Sequence, residues 1–226
     1  MSPALAAATP WDELWPLIRP ALGETMQMIV ISTVITGVLG LLLGVLLHTT
    51  GRDGLRPLPP VNAVLGLVIG IGRSVPFIVL LAAIIPFTRL VVGTSLGTKA
   101  VIVPLVVAMT PFYARVVEGA LREVPRELIE MARAAGASRA QTVSKVLLRE
   151  AAPGLVGGLT ITLVAIVGFS AMAGTVGGGG LGALAIDYGY NRYDGNVMLA
   201  TVVLLVVIVQ IFQFVGDLVV RRISHR

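Results

Sequence analysis

From Thr25 to Gly51 the chain reads TMQMIVISTVITGVLGLLLGVLLHTTG, with no Asp, Glu, Lys or Arg anywhere in it. A helix needs about 20 mostly apolar residues to cross the hydrocarbon core of a bilayer, and this stretch supplies them. The composition of the whole chain agrees: of 226 residues, 56% are hydrophobic and 13% charged, with a mean hydropathy of +0.92. Those values place the protein among helical integral membrane proteins, with no length left for a soluble catalytic domain. Zero cysteines exclude disulfides, thiolate metal sites and cysteine nucleophiles.

Working outward, the same length and polarity test predicts an all-α integral membrane protein with five transmembrane helices. They lie near Thr25–Leu47, Val61–Phe87, Leu96–Glu118, Gly154–Thr175 and Val197–Val219. The second contains Arg73, and the third holds Pro104 and Pro111. Residues 1–21 then form an extracytoplasmic segment, 22–222 one transmembrane domain, and 223–226 a cytoplasmic tail. No basic region precedes the first apolar run, which argues against a cleavable signal peptide.

A net charge of +5 and a pI near 10.2 would suit nucleic acid, but the basic residues flank apolar runs. Topology explains them better, and the expected surroundings are lipid. If Thr49–Pro60, Arg115–Arg149 and the C-terminal end with Arg221, Arg222 and Arg226 face the cytoplasm, twelve basic residues lie inside. Arg19, Arg89, Lys99 and Arg192 lie opposite, and Arg73 is left in the membrane. By the positive-inside rule the N-terminus is outside and the C-terminus cytoplasmic. Trp11, Trp15, Tyr188, Tyr190 and Tyr193 then fall at the outer interface, where amphipathic rings prefer to sit; ordinary loop packing is the other reading. Glycine pairs at four-residue spacing, Gly40/Gly44, Gly66/Gly70 and Gly154/Gly158, mark faces where helix backbones approach closely.

Between the third and fourth spans lies a charged insert at 125–149. Pro125 suits a first helical turn, and Leu128, Met131, Ala132 and Ala135 recur at helical spacing. Gly136 is placed to end that helix in a left-handed turn. Ser138 with Gln141 forms a capping-box pattern that restarts a second helix, whose stripe is Ala140, Val143 and Leu147. Such short helices need a surface to pack against. Pattern alone leaves two readings, an amphipathic hairpin lying on lipid headgroups or a docking element for another protein.

Glu130, Ala132 and Gly136, followed after nine residues by Val146-Leu147-Leu148, resemble the Glu-Ala-Ala-x3-Gly-x9-Ile-x-Leu-Pro loop of bacterial ABC-importer permeases of type I. Met131, Val146 and Arg149 depart from that pattern; the Glu and Gly do not. More of the chain is similar to the methionine-uptake members of that family. These stretches are Gly72-Arg-Ser-Val-Pro-Phe77, Ile85-Pro-Phe-Thr-Arg89, Val92-Gly-Thr-Ser95, Ser170-Ala-Met-Ala-Gly174, Val176-Gly-Gly-Gly-Gly-Leu-Gly182, Tyr188-Gly-Tyr190 and Gln213-Phe-Val-Gly-Asp217.

The resemblance implies a homodimer in the bacterial inner membrane with two ATP-binding subunits. A substrate-binding lipoprotein would deliver L- or D-methionine. ATP and magnesium would then sit on the partner ATPase, with no cofactor, metal or catalytic residue in this chain. The insert would be the coupling helix, engaging the ATPase through Glu130, Ala132, Gly136, Val146 and Leu148. A nucleotide-binding loop of the Gly-x4-Gly-Lys-Ser/Thr type is missing, since Lys99 follows Thr98 and Lys145 follows Ser144.

Four residues are candidates for the substrate pathway or its gate. Arg73 is the one ionised group well inside an expected span, where charges are costly and commonly functional; a structural Arg bonded to carbonyls near Pro76 is the alternative. Met172 lies in the small-residue run Ser170–Gly174, and a flexible thioether there suits an apolar gate or the route of a thioether substrate. Ser170 belongs to the same run. Met109, beside Pro111, is a second methionine of this kind, and bundle packing is the alternative for both. Gly177–Gly180 reads as close packing or a broken helix end. His48 and His225 read as interface and tail residues, and Glu24, Glu118 and Asp217 as solvated or snorkelling groups at span ends.

An ion-coupled secondary transporter would need acidic residues within the membrane, and the charge-free runs have none. A channel would need no coupling insert. Within the importers, the alternative is a permease for another small amino acid or an osmolyte.

Overall fold

The computed structural model describes residues 8–224. The first seven residues of the expected extracytoplasmic segment, and His225 and Arg226 of the tail, lie outside the described residues. Every regular element among the described residues is helical. In order these are α1 (Leu14–Thr50), α2 (Pro59–Ser74), α3 (Phe77–Ala83), α4 (Ile85–Val92), α5 (Thr98–Arg122) and α6 (Arg126–Ala134), followed by α7 (Arg139–Gln141), α8 (Leu148–Glu150), α9 (Ala152–Ala173), α10 (Gly180–Leu184) and α11 (Gly195–Ile223).

Four of these, α1, α5, α9 and α11, are long and apolar enough to cross a membrane. With 37 residues, α1 is about 55 Å long at 1.5 Å per residue, well beyond the roughly 30 Å hydrocarbon core. It therefore starts far ahead of the expected first span. The expected second span, Val61–Phe87, is not one helix. α2 ends at Ser74 and α3 leaves it at an angle of 103°. Pro76 is the cause: its ring pushes the preceding residue out of the helical region, and Val75 is extended at φ −83°, ψ 124°. Taken together, the bent pair is the fifth candidate span.

The chain forms two compact units. The first comprises the described part of Met1–Val34 with Pro76–Val106 and Leu163–Phe212; the second comprises Ile35–Val75, Val107–Thr162 and the described part of Gln213–Arg226.

Within the second unit, α5 is packed on two sides by glycine faces. A Cβ on Gly40 would lie 2.7 Å from Tyr113, and one on Gly44 2.5 Å from Val117. From the other side, a Cβ on Gly158 would lie 2.2 Å from Val116. These contacts match the close approach expected of small residues four apart. Gly66 and Gly70 behave otherwise. Space is open at Gly70, and Gly66 faces only the Arg115 guanidinium at 3.5 Å. The residue of α2 that approaches α5 is Gly72, whose Cβ would sit 3.1 Å from Pro111. Helical spacing marks a face, but it does not say whether a neighbour covers it.

Within the first unit, the glycine run Gly177–Gly180 is a broken helix end, as expected. Gly177, Gly179 and Gly180 take φ of 79°, 78° and 76°, which a side chain would strain. Asp194 sits just before α11 and accepts the N–H groups of Asn196 and Val197, both at 3.1 Å, capping that helix. Its other oxygen accepts the N–H and hydroxyl of Thr9.

Candidate functional site

The insert between α5 and α9 is a hairpin in the second unit. Pro125 precedes α6 as its cap, one position before the first turn where the sequence placed it. α6 ends in a Schellman turn: Ala137 N–H donates to Ala132 O at 3.0 Å and Gly136 N–H to Arg133 O at 2.9 Å. Gly136 adopts φ 81°. The capping box forms as expected, with Gln141 N–H donating to Ser138 Oγ at 3.3 Å and Ser138 N–H to Gln141 Oε1 at 2.8 Å.

The apolar seat differs from expectation on both helices. In α6 the inward residues are Leu128, Ile129 and Ala132, while Met131 is 59% exposed and Ala135 is exposed too. Positions i, i+1 and i+4 share a side of a helix, so α6 is rotated toward Ile129. After α7 the chain makes a π-helical turn over Thr142–Leu147, where Leu148 N–H reaches Val143 O. The hydrogen bonds there span five residues, which widens the turn. Thr142 and Leu147 consequently share the buried face, and Ala140 points to solvent.

Leu147 enters the core of this unit with Leu55, Tyr113, Val117 and Leu121, and Leu128, Ile129, Val143 and Leu148 pack around them. The hairpin root is thus fixed, while Glu130 and Gly136 at its tip are exposed. Of the other expected coupling residues, Ala132, Val146 and Leu148 are half-buried, Leu148 against the core. Arg126 at the start of α6 pairs with Asp53, 3.1 Å away in the loop after α1.

Glu118, expected to be solvated, is 4% exposed and lies between two arginines. It accepts from Arg115 Nη1 at 2.7 Å and also pairs with Arg122. Arg115 reaches on to Gly66 O of α2 at 3.3 Å. The signal was present in the sequence, since Arg115 and Arg122 stand three residues before and four after Glu118.

The four pathway candidates fall two in each unit. In the second, Arg73 is exposed in the last turn of α2, just before the break of the bent candidate span. Its charge sits where unpaired helix carbonyls gather. Met109 is 5% exposed on α5, two residues from the Pro111 that Gly72 touches. In the first unit, Ser170 is 1% exposed and its hydroxyl donates to Val167 O at 2.8 Å. Met172 is 43% exposed near the end of α9. Phe169 stacks on Phe77, with ring centroids 4.6 Å apart and planes 2° from parallel. Trp11, Trp15, Tyr190 and Tyr193 are exposed in the same unit, and Arg192 covers the Tyr188 ring at 4.1 Å.

Comparison with known proteins sets these features in a family. The chain is 53% identical over 210 residues to the probable D-methionine transport system permease protein MetI of Vibrio cholerae, covering 93% of each chain. It is 41% identical over 181 residues to the methionine import system permease protein MetP of Bacillus subtilis, covering 80% of this chain and 82% of that one. Among solved structures, a chain of the MetNI methionine ABC transporter in an inward-facing conformation superposes with a TM-score of 0.92 at 46% identity, covering 96% of this chain and all of that one. The family described as binding-protein-dependent transport system inner membrane component matches residues 37–226. That match takes in the hairpin and all four pathway candidates, and the chain belongs to this family of inner membrane transport components.

Proposed function

We propose that this chain is the membrane-pathway subunit of an ATP-driven methionine importer, working as a pair with two copies of a separate ATPase. The observation that carries the reading is likeness over nearly the full length to permeases of methionine systems, at up to 53% identity. The rooted hairpin supplies a physical means of coupling. An element packed through Leu128, Ile129 and Leu147 transmits a push at its tip to the ends of the spans beside it.

In this reading Glu130, Ala132 and Gly136 meet the ATPase, with Val146 and Leu148 stiffening the second arm. ATP and magnesium are bound by that partner. Met172 and Ser170 at the end of α9, and Arg73 and Met109 on α2 and α5, line or gate the route. A substrate-binding protein delivers L- or D-methionine from the outer side. The basic residues of the hairpin put it, and the C-terminus, in the cytoplasm with the N-terminus outside.

The test is uptake of labelled methionine into vesicles containing the chain, its ATPase and the binding protein. Uptake should require ATP inside the ATPase compartment and be competed by unlabelled methionine. Uptake driven by an ion gradient without ATP would overturn the reading in favour of a secondary transporter.

A further inference from the structure

The gate assigned to Met172 stands on the end of α9, and the structure shows what holds that end in place. Resting on that assignment, we infer that Glu24 and Thr25 of α1 are positioning residues for the gate. The connection runs through the glycine run and the short helix α10, all within the first unit.

Gly180 N–H donates to Glu24 Oε2 at 2.6 Å, and Leu181 N–H donates to Thr25 Oγ1 at 2.8 Å. These are the first two amides of α10, groups that no carbonyl inside the helix can satisfy. Thr25 is 1% exposed and Leu181 fully buried, so the Leu181 amide cannot turn to water when that contact is lost. The fit leaves no slack: a Cβ on Gly179 would lie 2.6 Å from Glu24 Oε2, and one on Gly180 2.6 Å from Thr25 Oγ1.

The far side of α10 meets α9 backbone to backbone. A Cβ on Gly182 would be 2.3 Å from Ala171 O, and one on Gly174 would be 2.2 Å from Ala183 N. Ala171 and Gly174 flank Met172. Any shift of α10 therefore moves the backbone that carries Met172, because packed interiors pass displacement on instead of absorbing it. Glu24 is itself exposed, and one of its oxygens is committed to a buried helix start beside the gate. Glu24 thus acts on Met172 by position, through α10 and the backbone of Ala171 and Gly174.

The chain contains no cysteine, which makes Met172→Cys a unique reporter. The probe is a membrane-impermeant maleimide, applied to the chain assembled with its ATPase in vesicles, with and without ATP. In the background without further changes, the labelling rate should differ between the two nucleotide conditions. Adding Glu24→Ala with Thr25→Val should shift the labelling rate by about tenfold or more, tenfold being the low end for losing the bond to the charged Glu24 alone. It should also lower methionine transported per ATP hydrolysed. Glu24→Gln keeps an acceptor oxygen and should restore both. Gly180→Ala, which crowds the same contact from the opposite side, should reproduce the double variant. If labelling responds to ATP but is the same with and without the Glu24 and Thr25 substitutions, the positioning role is wrong while the gate stands. If labelling is indifferent to ATP in every variant, the gate assignment itself fails, and this inference with it.

Discussion

Gly136 offers the cleanest test of the hairpin, because its surroundings remove the usual ambiguity of a glycine substitution. Its φ is 81°, and nothing lies within 4 Å of where a Cβ would stand. Replacement by Ala therefore introduces no clash within the chain, and what remains is the conformational penalty of a left-handed residue. That penalty is about 1–2 kcal/mol, or roughly 5–30-fold in the population of the formed turn at 1.4 kcal/mol per decade. Asn tolerates this region far better than Ala, so Gly136→Asn should recover most of the loss. Gly136→Pro cannot reach the angle, since proline is held near φ of about −65°, and it also deletes the N–H bonded to Arg133 O. The expected order of ATP-driven uptake is Gly, then Asn, then Ala, with Pro inactive, at equal amounts of inserted protein. Hydrogen exchange at the Ala137 amide should speed up in the same order. Wild-type uptake in the Ala variant would show that the turn is not needed for coupling. Equal damage by Ala and Asn would show that a partner approaching the bare backbone, and not φ, makes the position glycine.

Gly44→Ala should destabilise the protein by about 1–3 kcal/mol through overpacking on Val117, whereas Gly70→Ala should be neutral or stabilising; thermal unfolding in detergent separates them. Glu118→Gln should cost on the order of 1–3 kcal/mol by leaving Arg115 and Arg122 without their shared carboxylate. A double-mutant cycle with Arg122→Met measures how much of that loss belongs to the pair. For Asp194, burial would raise the carboxyl, but the hydroxyl and N–H of Thr9 and the N–H groups of Val197 and Asn196 outweigh it and hold the group below the ordinary carboxylate range. A lowered folded value means that its contribution to stability is complete above about pH 4 and is lost only as pH falls through the folded value. Thr9→Val should move that acid loss to higher pH; an unchanged acid limb in a thermal-unfolding series would contradict the assignment.

The sequence carries local information well and contact information poorly, and particular residues show the boundary. The charge-free stretch at Thr25–Gly51 announces a spanning helix, and Ser138, Gln141 and Gly136 announce their caps, because each depends on neighbours within a few residues. The break at Val75 was equally local, since Pro76 restricts the residue before it, yet the apolar run across it reads as one span. Gly66 and Gly70 mimic the packing signature of Gly40 and Gly44, and only the folded chain shows which pair meets a neighbour. The π-helical turn over Thr142–Leu147 has no composition of its own, so the stripe built on normal helical spacing picked Ala140 over Thr142. Glu118 looks like a span-end charge until the arginines beside it are in view. At the candidate site, the exposure of Glu130 and Gly136 followed from the hairpin pattern. The exposure of Arg73 did not, because it depends on where α2 stops.

The central claim is that a partner's ATP cycle reaches the methionine pathway through the tip of this hairpin. The most direct measurement is methionine uptake and ATP hydrolysis recorded together in vesicles carrying Glu130→Lys in the full assembly. The account predicts normal insertion and continued hydrolysis with uptake lost, since the rooted hairpin remains folded but its tip no longer matches the ATPase. Uptake at the wild-type ratio of methionine to ATP would contradict it.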